Sequence, residues 1–390
     1  MRLVKVDLEK LKGEMYNCVR CGYCREMVYP QMGSFGVCPL YEMYGYQSYT
    51  GKGKVLIGLA LLEGRLSMSK SLAEHLFASC LTCKSCTAHC PNEVDVVSIV
   101  LALREEAARR GLLPEEIRVV DSNIDKKKNP FGEGEEKRVE LASTLGLPET
   151  GEVLYFAGCY VTYRYPEVAR AEVELLKRAG LNVAYLGEDE WCCGIIKKFE
   201  GKPSEYRKLA EHNVEAIKAS GAETVVATCP GCYHTLRDYS EILERGAGGF
   251  EVVHFTQLLE KLLREGRIKL ENPVKKTVTY HDPCHLGRYE EIYEQPRSVL
   301  ASIPGLRLVE MRRNRRNAWC CGGGATHYVY NFDASIRVAL TRLDEAEEAG
   351  AEALVTSCPL CLTVFRNALR RAGAKMELYY LSELVRKSLG

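Results

Sequence analysis

The residues best suited to chemistry in this sequence are its eighteen cysteines. A Trp-Cys-Cys-Gly stretch occurs at 191–194. Cys159 lies 32 residues before its tryptophan, and Cys229-Pro-Gly-Cys232 begins 35 residues after its glycine. Adjacent cysteines rarely bridge each other, because one peptide link does not give their Cβ atoms the geometry of a disulfide. Two neighbouring thiolates can instead hold two atoms of one metal cluster, so this pattern predicts an iron–sulfur site.

The same pattern occurs a second time, around 319–322. Cys284 lies 35 residues before this stretch, and Cys358-Pro-Leu-Cys361 begins 36 residues after it. Equivalent cysteines of the two sets are offset by 125 to 129 residues, which indicates a duplication. The second half of the chain is therefore expected to hold two equivalent iron–sulfur sites.

The remaining eight cysteines lie in two runs in the N-terminal quarter. The run from Cys80 to Cys90 matches the bacterial ferredoxin pattern, in which the last cysteine of each run ligates the other cluster. The first run begins at Cys18 but has 13 residues, instead of three, between Cys24 and Cys38. Zinc also binds Cys-x2-Cys, but its sites use two such pairs rather than three cysteines at steps of three followed by Cys-Pro. We predict two [4Fe–4S] clusters, one on Cys18, Cys21, Cys24 and Cys90 and the other on Cys38, Cys80, Cys83 and Cys86.

Composition narrows the class of protein. A chain of 390 residues is long enough for two or three domains, and its formal charge of +1 creates no global attraction for nucleic acid or a membrane surface. The start, Met1 to Lys12, is charged and lacks the apolar segment of a signal peptide, and no apolar run approaches a bilayer span. Eighteen cysteines in an unsecreted chain favour metal over disulfides. We predict a cytoplasmic protein that could reach a membrane only through a partner.

Alternating hydrophobic segments predict the elements that position the cysteines. Helices are expected at 54–63, 71–78, 94–110, 166–180 and 203–220. Strands are expected at 153–156, 182–186, 224–228 and 252–255, and again at 277–280, 306–311, 353–356 and 376–381. Strand–helix alternation predicts parallel sheets, and ligands of such sheets lie at the carboxyl ends of strands. Cys159, Cys229, Cys284 and Cys358 occupy these positions.

The predicted fold class is an α+β multidomain protein. Residues 1–110 form a mostly helical two-cluster ferredoxin domain, and 111–150, which are charged and lack periodicity, form a linker with a short helix after it. Two duplicated α/β domains with parallel sheets follow at 151–272 and 273–390.

A two-cluster ferredoxin domain followed by two complete cysteine-rich CCG repeats resembles the D subunit of heterodisulfide reductase. The resemblance covers nearly the whole chain and all eighteen cysteines, and only the long Cys24–Cys38 interval departs from it. It implies a noncubane [4Fe–4S] cluster on the five cysteines of each repeat, and a substrate disulfide cleaved between the two clusters with each sulfur meeting an iron. The implied ligands are Cys159, Cys192, Cys193, Cys229 and Cys232, then Cys284, Cys320, Cys321, Cys358 and Cys361. Cys193 and Cys321 are the expected catalytic cysteines.

The same architecture resembles the iron–sulfur subunits of FAD-dependent glycolate, D-lactate and glycerol-3-phosphate dehydrogenases, which carry electrons away from a flavoprotein. It also resembles the corresponding subunit of membrane complexes linked to sulfite reduction. A relay does not need two special clusters facing each other, so two complete repeats favour reduction of a small disulfide. The chain has no Gly-x-Gly-x-x-Gly or P-loop, so we expect no flavin or nicotinamide in it. A flavoprotein or a membrane cytochrome is expected to be the partner that supplies electrons to this chain or collects them from it.

Charged side chains near the second repeat are candidates for substrate chemistry. Arg312, Arg313, Arg315 and Arg316 could bind sulfonate, phosphate or carboxylate groups of a substrate, or the acidic face of a partner, and a solvated loop is the alternative. His281 and His285 flank Cys284 and could move protons to a leaving thiolate, with structural hydrogen bonding as the alternative.

Overall fold

The computed structural model describes residues 8–29, 33–243 and 249–390. The first seven residues, which belong to the charged start used in the signal-peptide prediction, lie outside this part. Among the described residues, no helix is both long enough and apolar enough to cross a bilayer.

The N-terminal region is mostly helical, as predicted. Its elements are α1 Lys12–Tyr16, β1 Glu26–Tyr29, β2 Gly33–Gly36, α2 Pro39–Tyr44, α3 Gly51–Leu62, α4 Lys70–Ala78, α5 Ser85–Ala88 and α6 Val96–Arg109. The two strands pair antiparallel within the long interval between Cys24 and Cys38. Just beyond the hairpin, the Val37 amide donates to the Arg25 carbonyl at 2.8 Å. The inserted residues therefore fold back on themselves, which lets Cys38 remain close to the other cysteines.

Residues 111–150 differ from the predicted linker, because two helices occupy most of the segment. These are α7 Glu115–Lys127 and α8 Glu136–Leu145. Ile117, Val120 and Ile124 of α7 are buried along one face. Three apolar residues at helical spacing are enough to anchor a helix, although the charged run around them hides the period. Lys126 and Lys127 lie in the last turn of α7, where cations favour the helix dipole.

The first repeat is a four-stranded parallel sheet with helices around it. Its elements are β3 Val153–Phe156, α9 Gly158–Arg164, α10 Pro166–Arg178, β4 Val183–Ala184, α11 Ile195–Phe199, α12 Pro203–Ala219, β5 Thr224–Ala227, α13 Pro230–Ile242, β6 Glu251–His254 and α14 Phe255–Arg264. The strand order is β4-β3-β5-β6. The second strand is shorter than predicted, because the Tyr185 amide leaves the sheet and donates to the Pro148 carbonyl at 2.9 Å.

The second repeat reproduces this architecture. Its elements are β7 Lys276–Tyr280, α15 Glu294–Ala301, β8 Leu306–Leu308, α16 His327–Tyr330, α17 Phe332–Glu348, β9 Ala353–Thr356, α18 Pro359–Ala372, β10 Glu377–Tyr380 and α19 Leu381–Lys387. The order β8-β7-β9-β10 is the order of the first sheet, and all pairs are parallel. The predicted fold class and all eight predicted strands are confirmed.

The two repeats share one hydrophobic core. Buried residues of α10 and α14 pack with residues of α15 and α19 in a single cluster. At the centre of this contact, the Tyr380 hydroxyl lies 2.9 Å from the Thr228 carbonyl and 3.0 Å from the Ser357 carbonyl. Thr228 and Ser357 are equivalent in the two repeats, and each precedes a cysteine. Equivalent main-chain positions of the two repeats thus meet at one side chain, next to Cys229 and Cys358.

The N-terminal region packs mainly on the second repeat. The Tyr289 hydroxyl donates to the Thr82 carbonyl at 2.6 Å, and His327 Nε2 lies 3.0 Å from the Ala78 carbonyl. Burial lowers the pKa of His327 to about 4, so this histidine is a neutral structural residue. The N-terminal cysteines are therefore close to one repeat and farther from the other.

Candidate metal centres

One group of N-terminal cysteines forms an outer site near the protein surface. Cys18, Cys21, Cys24 and Cys90 line one cavity. Cys21 is exposed, whereas the other three are half-buried. The Lys52 amide donates to Cys24 Sγ at 3.2 Å, a contact that favours the thiolate form. The structure thus places Cys90 beside the three cysteines of the first run. This crossed pairing is the one expected if the last cysteine of each run ligates the other cluster.

A second group forms an inner site. Cys38, Cys80, Cys83 and Cys86 line one cavity. Burial raises the pKa of the Cys38 thiol to about 12. A buried thiol with this pKa stays protonated at neutral pH unless a metal supplies positive charge. Four sulfurs around one desolvated cavity therefore fit an iron–sulfur cluster held by four cysteines.

The outer and inner sites are adjacent. Cys86 lines both cavities. A Cβ atom placed on Gly51 would lie 3.0 Å from Cys24 Cβ and 3.1 Å from Cys86 Cβ. Only glycine leaves room for cysteines of the two sites to approach α3 this closely.

The first repeat gathers all five of its cysteines around one cavity. These are Cys159, Cys192, Cys193, Cys229 and Cys232. The spacing of the cysteines in the sequence did not identify the side chains that hold these five cysteines in place. Glu190 accepts hydrogen bonds from the Ala157 and Gly158 amides, both at 2.8 Å, and so fixes the turn before Cys159.

Two further buried residues hold the adjacent cysteine pair of the first repeat. Asn213 Nδ2 donates to the Cys192 carbonyl at 3.2 Å and to the Tyr239 hydroxyl at 3.1 Å. The Tyr239 hydroxyl in turn donates to the Cys193 carbonyl at 2.8 Å. Gly194 then turns the chain with φ +86°, a conformation that favours glycine. This network orients both thiols into the cavity.

The second repeat places its cysteines in a more enclosed site. Cys320, Cys321, Cys358 and Cys361 are buried, and Cys284 is half-buried. Cys361 Sγ lies 3.2 Å from Cys321 Sγ. His281 joins these two sulfurs, with the three ligand atoms within 4.8 Å of one another.

Direct sulfur contacts connect the sites. Hydrogen bonding from Cys320 lowers the pKa of Cys83 to about 7, so the inner site touches the second repeat. Hydrogen bonds from Cys232 and Cys358 lower the pKa of Cys229, so the two repeats also touch through their cysteines. Because Cys86 joins the outer and inner sites, the cysteines form one continuous series in the order outer site, inner site, second repeat, first repeat.

The cavity around the cysteines of the first repeat extends to the second repeat and so lies between the two. All five cysteines of the first repeat line one side. The second repeat contributes His285, Ala325, Thr326, Val329, Cys358 and Leu360. Val120 and Phe131, from the segment predicted to be a linker, complete the wall. The predicted catalytic residue Cys193 faces this cavity, whereas Cys321 is not among its lining residues.

The two candidate histidines occupy different environments. His285 lines the cavity, and its Nδ1 lies 3.6 Å from Cys284 Sγ, so it connects the cavity to the second repeat. The nearby Cys284 thiolate raises the pKa of His285 against the effect of burial. His281 is buried inside the second repeat, where Arg342 Nε donates to its Nδ1 at 3.2 Å. His285 is therefore the histidine that can reach a bound molecule.

The four candidate arginines do not line the cavity, which corrects the placement expected from the sequence. Arg313 is buried, forms an ion pair with Glu345, and lies 3.9 Å over the Trp319 ring. Arg312 donates to the Ser34 carbonyl, Arg315 pairs with Glu294, and Arg316 donates to the Ala88 carbonyl. Three of the four thus contact the N-terminal hairpin or a neighbouring carboxylate instead of a substrate pocket, and Arg316 contacts the N-terminal helix α5. Arg312, Arg313 and Arg316 thus connect the second repeat to the N-terminal domain, whereas Arg315 binds within the repeat.

Replacing Arg313 by Met is expected to lower the free energy of unfolding by about 3 kcal/mol, because it leaves the buried Glu345 carboxylate with one cation fewer. The matched change Arg312→Met, at an exposed neighbouring position, should cost less than about 0.5 kcal/mol. Anaerobic denaturant titration measures both values. Equal stability of the two variants would contradict the structural role of Arg313.

Comparison with known proteins agrees with this geometry. Residues 14–94 match the family model of a 4Fe-4S dicluster domain, and residues 153–237 and 278–366 each match a cysteine-rich domain. Over 97% of its length, the chain is 33% identical to the D subunit of the dihydromethanophenazine:CoB–CoM heterodisulfide reductase of Methanosarcina acetivorans, of which 94% is covered. The D subunit of the same enzyme from Methanosarcina barkeri is 32% identical with the same coverage.

More distant similarities are also found. The chain is 31% identical over 80% of its length to an EtfAB:quinone oxidoreductase of Syntrophomonas wolfei, of which it covers 46%. A crystal structure of a hypothetical protein from Helicobacter pylori has the same fold over 87% of this chain and 68% of that one, with a TM-score of 0.58 and 10% identity. The match over almost the whole length of the heterodisulfide reductase D subunits is the informative one. The chain belongs to the family of these D subunits and is an iron–sulfur oxidoreductase.

Proposed function

We propose that this protein reduces a small disulfide in the cavity between its two repeats, with electrons that enter through the N-terminal domain. The observation that carries this proposal is the composition of the cavity wall. All five cysteines of one repeat and Cys358 of the other line a single space. A disulfide bound there would have cysteine-held metal on both sides.

The proposed cofactors are two cubane [4Fe–4S] clusters in the N-terminal domain and two noncubane [4Fe–4S] clusters in the repeats. The outer and inner sites would hold the cubanes, and five cysteines in each repeat would hold the others. When bound, these clusters supply single electrons and iron atoms with affinity for sulfur. Cubane ligation by four cysteines fits the first two sites. A fifth cysteine in each repeat fits a less symmetric cluster of the same composition.

The series of sulfur contacts supports an electron path toward the cavity. Electrons would enter at the outer site, where Cys21 is exposed, and leave at the first repeat. Reduction of the substrate cleaves one S–S bond with two electrons and two protons and gives two thiols. A partner protein must supply the electrons, because the sequence has no flavin or nicotinamide motif. We propose a flavoprotein or a membrane cytochrome in this role, and the membrane association of the complex would then depend on that partner.

The cavity wall indicates which part of a substrate it accommodates. Val120, Phe131, Ile195, Ile196 and Leu360 give it a largely apolar surface. Apolar walls favour the disulfide and its adjoining methylene groups, whereas charged ends of the substrate would stay at the mouth, in water. We therefore propose a substrate whose disulfide is flanked by hydrocarbon segments, and this central part of the substrate enters the cavity.

His285 is the side chain best placed to assist the cleaved sulfur. It lines the cavity, and its ring packs on Tyr289 with 4.5 Å between centroids. This packing fixes the direction of the imidazole. We propose that His285 donates a hydrogen bond to the departing thiolate. His281, which is buried inside the second repeat, orients Cys321.

Narrowing the mouth tests this proposal. Val329 lines the cavity and is 44% exposed, so Val329→Trp should raise the Michaelis constant for a disulfide about tenfold, equivalent to ~1.4 kcal/mol. Val139 is 48% exposed on α8 and does not line the cavity, so Val139→Trp is the matched control. Anaerobic turnover with reduced viologen as donor measures both, and visible spectra check that the clusters are intact.

If both variants reduce disulfides with the wild-type Michaelis constant, the substrate does not use this cavity. If the loaded protein binds no disulfide at all but accepts electrons from a flavoprotein, the second candidate function applies. In that function the chain is the electron-transfer subunit of a flavoprotein dehydrogenase, such as one for 2-hydroxyacids or glycerol 3-phosphate. The similarity to an EtfAB:quinone oxidoreductase favours this alternative.

A further inference from the structure

Three buried cations surround the inner site. Lys54 lines its cavity and is 1% exposed, Arg104 is 1% exposed, and Arg288 is 7% exposed. Lys54 belongs to α3, Arg104 to α6, and Arg288 follows Cys284 in the second repeat. Three separate elements thus direct positive charge to the same place.

Each cation is held by main-chain carbonyls close to the cysteines. The Lys54 ammonium donates to the Ser48 carbonyl. Arg104 Nη2 donates to the carbonyl of Cys80 at 2.8 Å, and Arg288 Nε donates to the carbonyl of Cys83 at 2.7 Å. The two arginines therefore bind the backbone of the inner-site cysteines themselves.

No carboxylate forms an ion pair with Lys54, Arg104 or Arg288 within the part of the chain that the structure describes. The carboxyl group of Glu200 acts on Arg104 from beyond ion-pair distance, and burial raises the pKa of Glu200 well above its usual range. Burying a single unpaired cation is costly, and burying three around one cavity requires a negative partner. Four cysteine thiolates and a cluster between them provide that negative charge.

The outer site has a different environment. Arg20 and Lys52 line its cavity, but Arg20 is exposed and Lys52 is half-buried. Water and salt screen such charges, so they act weakly on a cluster. Buried cations act in a medium of lower dielectric constant and are much less screened.

We propose that Lys54, Arg104 and Arg288 raise the reduction potential of the inner cluster above that of the outer cluster, and so direct electrons inward. Reduction adds one electron to a cluster that is already negative, and nearby cations stabilise the added charge. Burial alone has the opposite effect, because it disfavours the more highly charged reduced state. The three cations oppose this effect and let the inner cluster accept the electron that the outer cluster gives up.

The proposal rests on the ligand sets proposed above but not on the identity of the substrate. Its test is an anaerobic redox titration followed by electron paramagnetic resonance at pH 7, which needs no disulfide. The outer signal is identified as the one that a soluble paramagnetic lanthanide complex relaxes more strongly, since Cys21 is exposed.

In the wild type, the inner cluster is expected to have the higher midpoint potential. Lys54→Met should lower the equilibrium constant for electron transfer from the outer to the inner cluster at least tenfold. For one electron, this is a decrease of 59 mV in the inner midpoint potential relative to the outer one. Lys54→Arg should restore most of the wild-type value. Lys52→Met, the same substitution two residues away on α3, is the matched control and should leave the inner potential unchanged.

Arg104→Met provides a second variant if Lys54→Met fails to assemble its clusters, and the same direction of shift is expected. An inner potential below the outer one in the wild type would overturn the proposal. So would an inner potential that is unchanged in the assembled variants, or shifted equally by Lys52→Met. A protein that shows the predicted potentials but reduces no disulfide would retain this inference and lose only the proposed function.

Discussion

Cys193→Ala is expected to abolish disulfide reduction while the N-terminal clusters remain reducible. Cys193 is 4% exposed to solvent overall, yet it lines the cavity between the repeats. It is also within hydrogen-bond distance of Cys192 and Cys232, so its loss removes one sulfur from the centre of the set. Turnover should fall below detection, and the signals of the two N-terminal clusters should stay at wild-type intensity during reduction with dithionite.

Two further variants show where the defect lies. Cys321→Ala, in the second repeat, should also abolish turnover, because electrons must pass that site before they reach the cavity. Cys21→Ala should impair electron uptake at the outer site but leave the binding of a disulfide in the cavity unchanged, as measured by equilibrium binding to the oxidised protein. Turnover by Cys193→Ala at more than a few per cent of the wild-type rate would contradict the assignment of the cavity.

Anaerobically prepared protein is expected to contain about sixteen iron atoms per chain, four for each of four clusters. The structure gives each group of cysteines its own cavity or buried cluster of sulfurs, and no cysteine is left over among the eighteen. Metal analysis and titration of free thiols measure the two quantities together. About eight irons with ten free thiols, or stoichiometric zinc, would contradict the four-cluster assignment.

Removing single ligands makes the iron count more specific. Cys38→Ala and Cys90→Ala should each lose about four irons, but from different clusters, because the two cysteines line different cavities. The crossed pairing predicts that Cys38→Ala removes the inner signal and Cys90→Ala removes the outer one. The opposite result would show that each run closes its own cluster.

The sequence predicted the elements that bear cysteines and their order, because both signals are local. The strand at 153–156 ends just before Cys159, and the strand at 353–356 just before Cys358, and both were predicted residue for residue. In both segments at least three consecutive apolar residues lead within a few positions to a cysteine that follows glycine or serine, and this signal lies entirely within the segment. The duplication strengthened the assignment, since each strand has an equivalent.

Features that depend on contacts between distant segments could not be predicted. Glu190 and Asn213 hold the cysteines of the first repeat by hydrogen bonds to main-chain amides and carbonyls. Nearly every residue has these groups, so the sequence does not show which of them a side chain contacts. The helix at 115–127 depends on packing against the first repeat, where Val120 and Ile124 join Cys192 and Leu209 in one cluster.

The arginines illustrate the same limit from the opposite side. Four arginines within five residues suggest an anion site, but the fold determines what they meet. Arg316 reaches the Ala88 carbonyl, 228 residues away in sequence. Arg313 and Arg315 form ion pairs with Glu345 and Glu294 of the second repeat. Charge composition could not identify these partners, because they come from segments distant in sequence.

The shared core between the repeats has a consequence for how a catalytic cycle can proceed. Many enzymes with a site between two domains close on their substrate by bending at a hinge. Here Tyr380 lies within hydrogen-bond distance of a carbonyl from each repeat, and buried side chains of both repeats pack as one body. Close-packed interiors of this kind do not open and shut without losing their contacts. In the proposed reduction of a disulfide, the separation of the two repeat sites would therefore stay constant. Any stretching of the disulfide would come from the lengthening of its own S–S bond and not from a hinge motion of the protein.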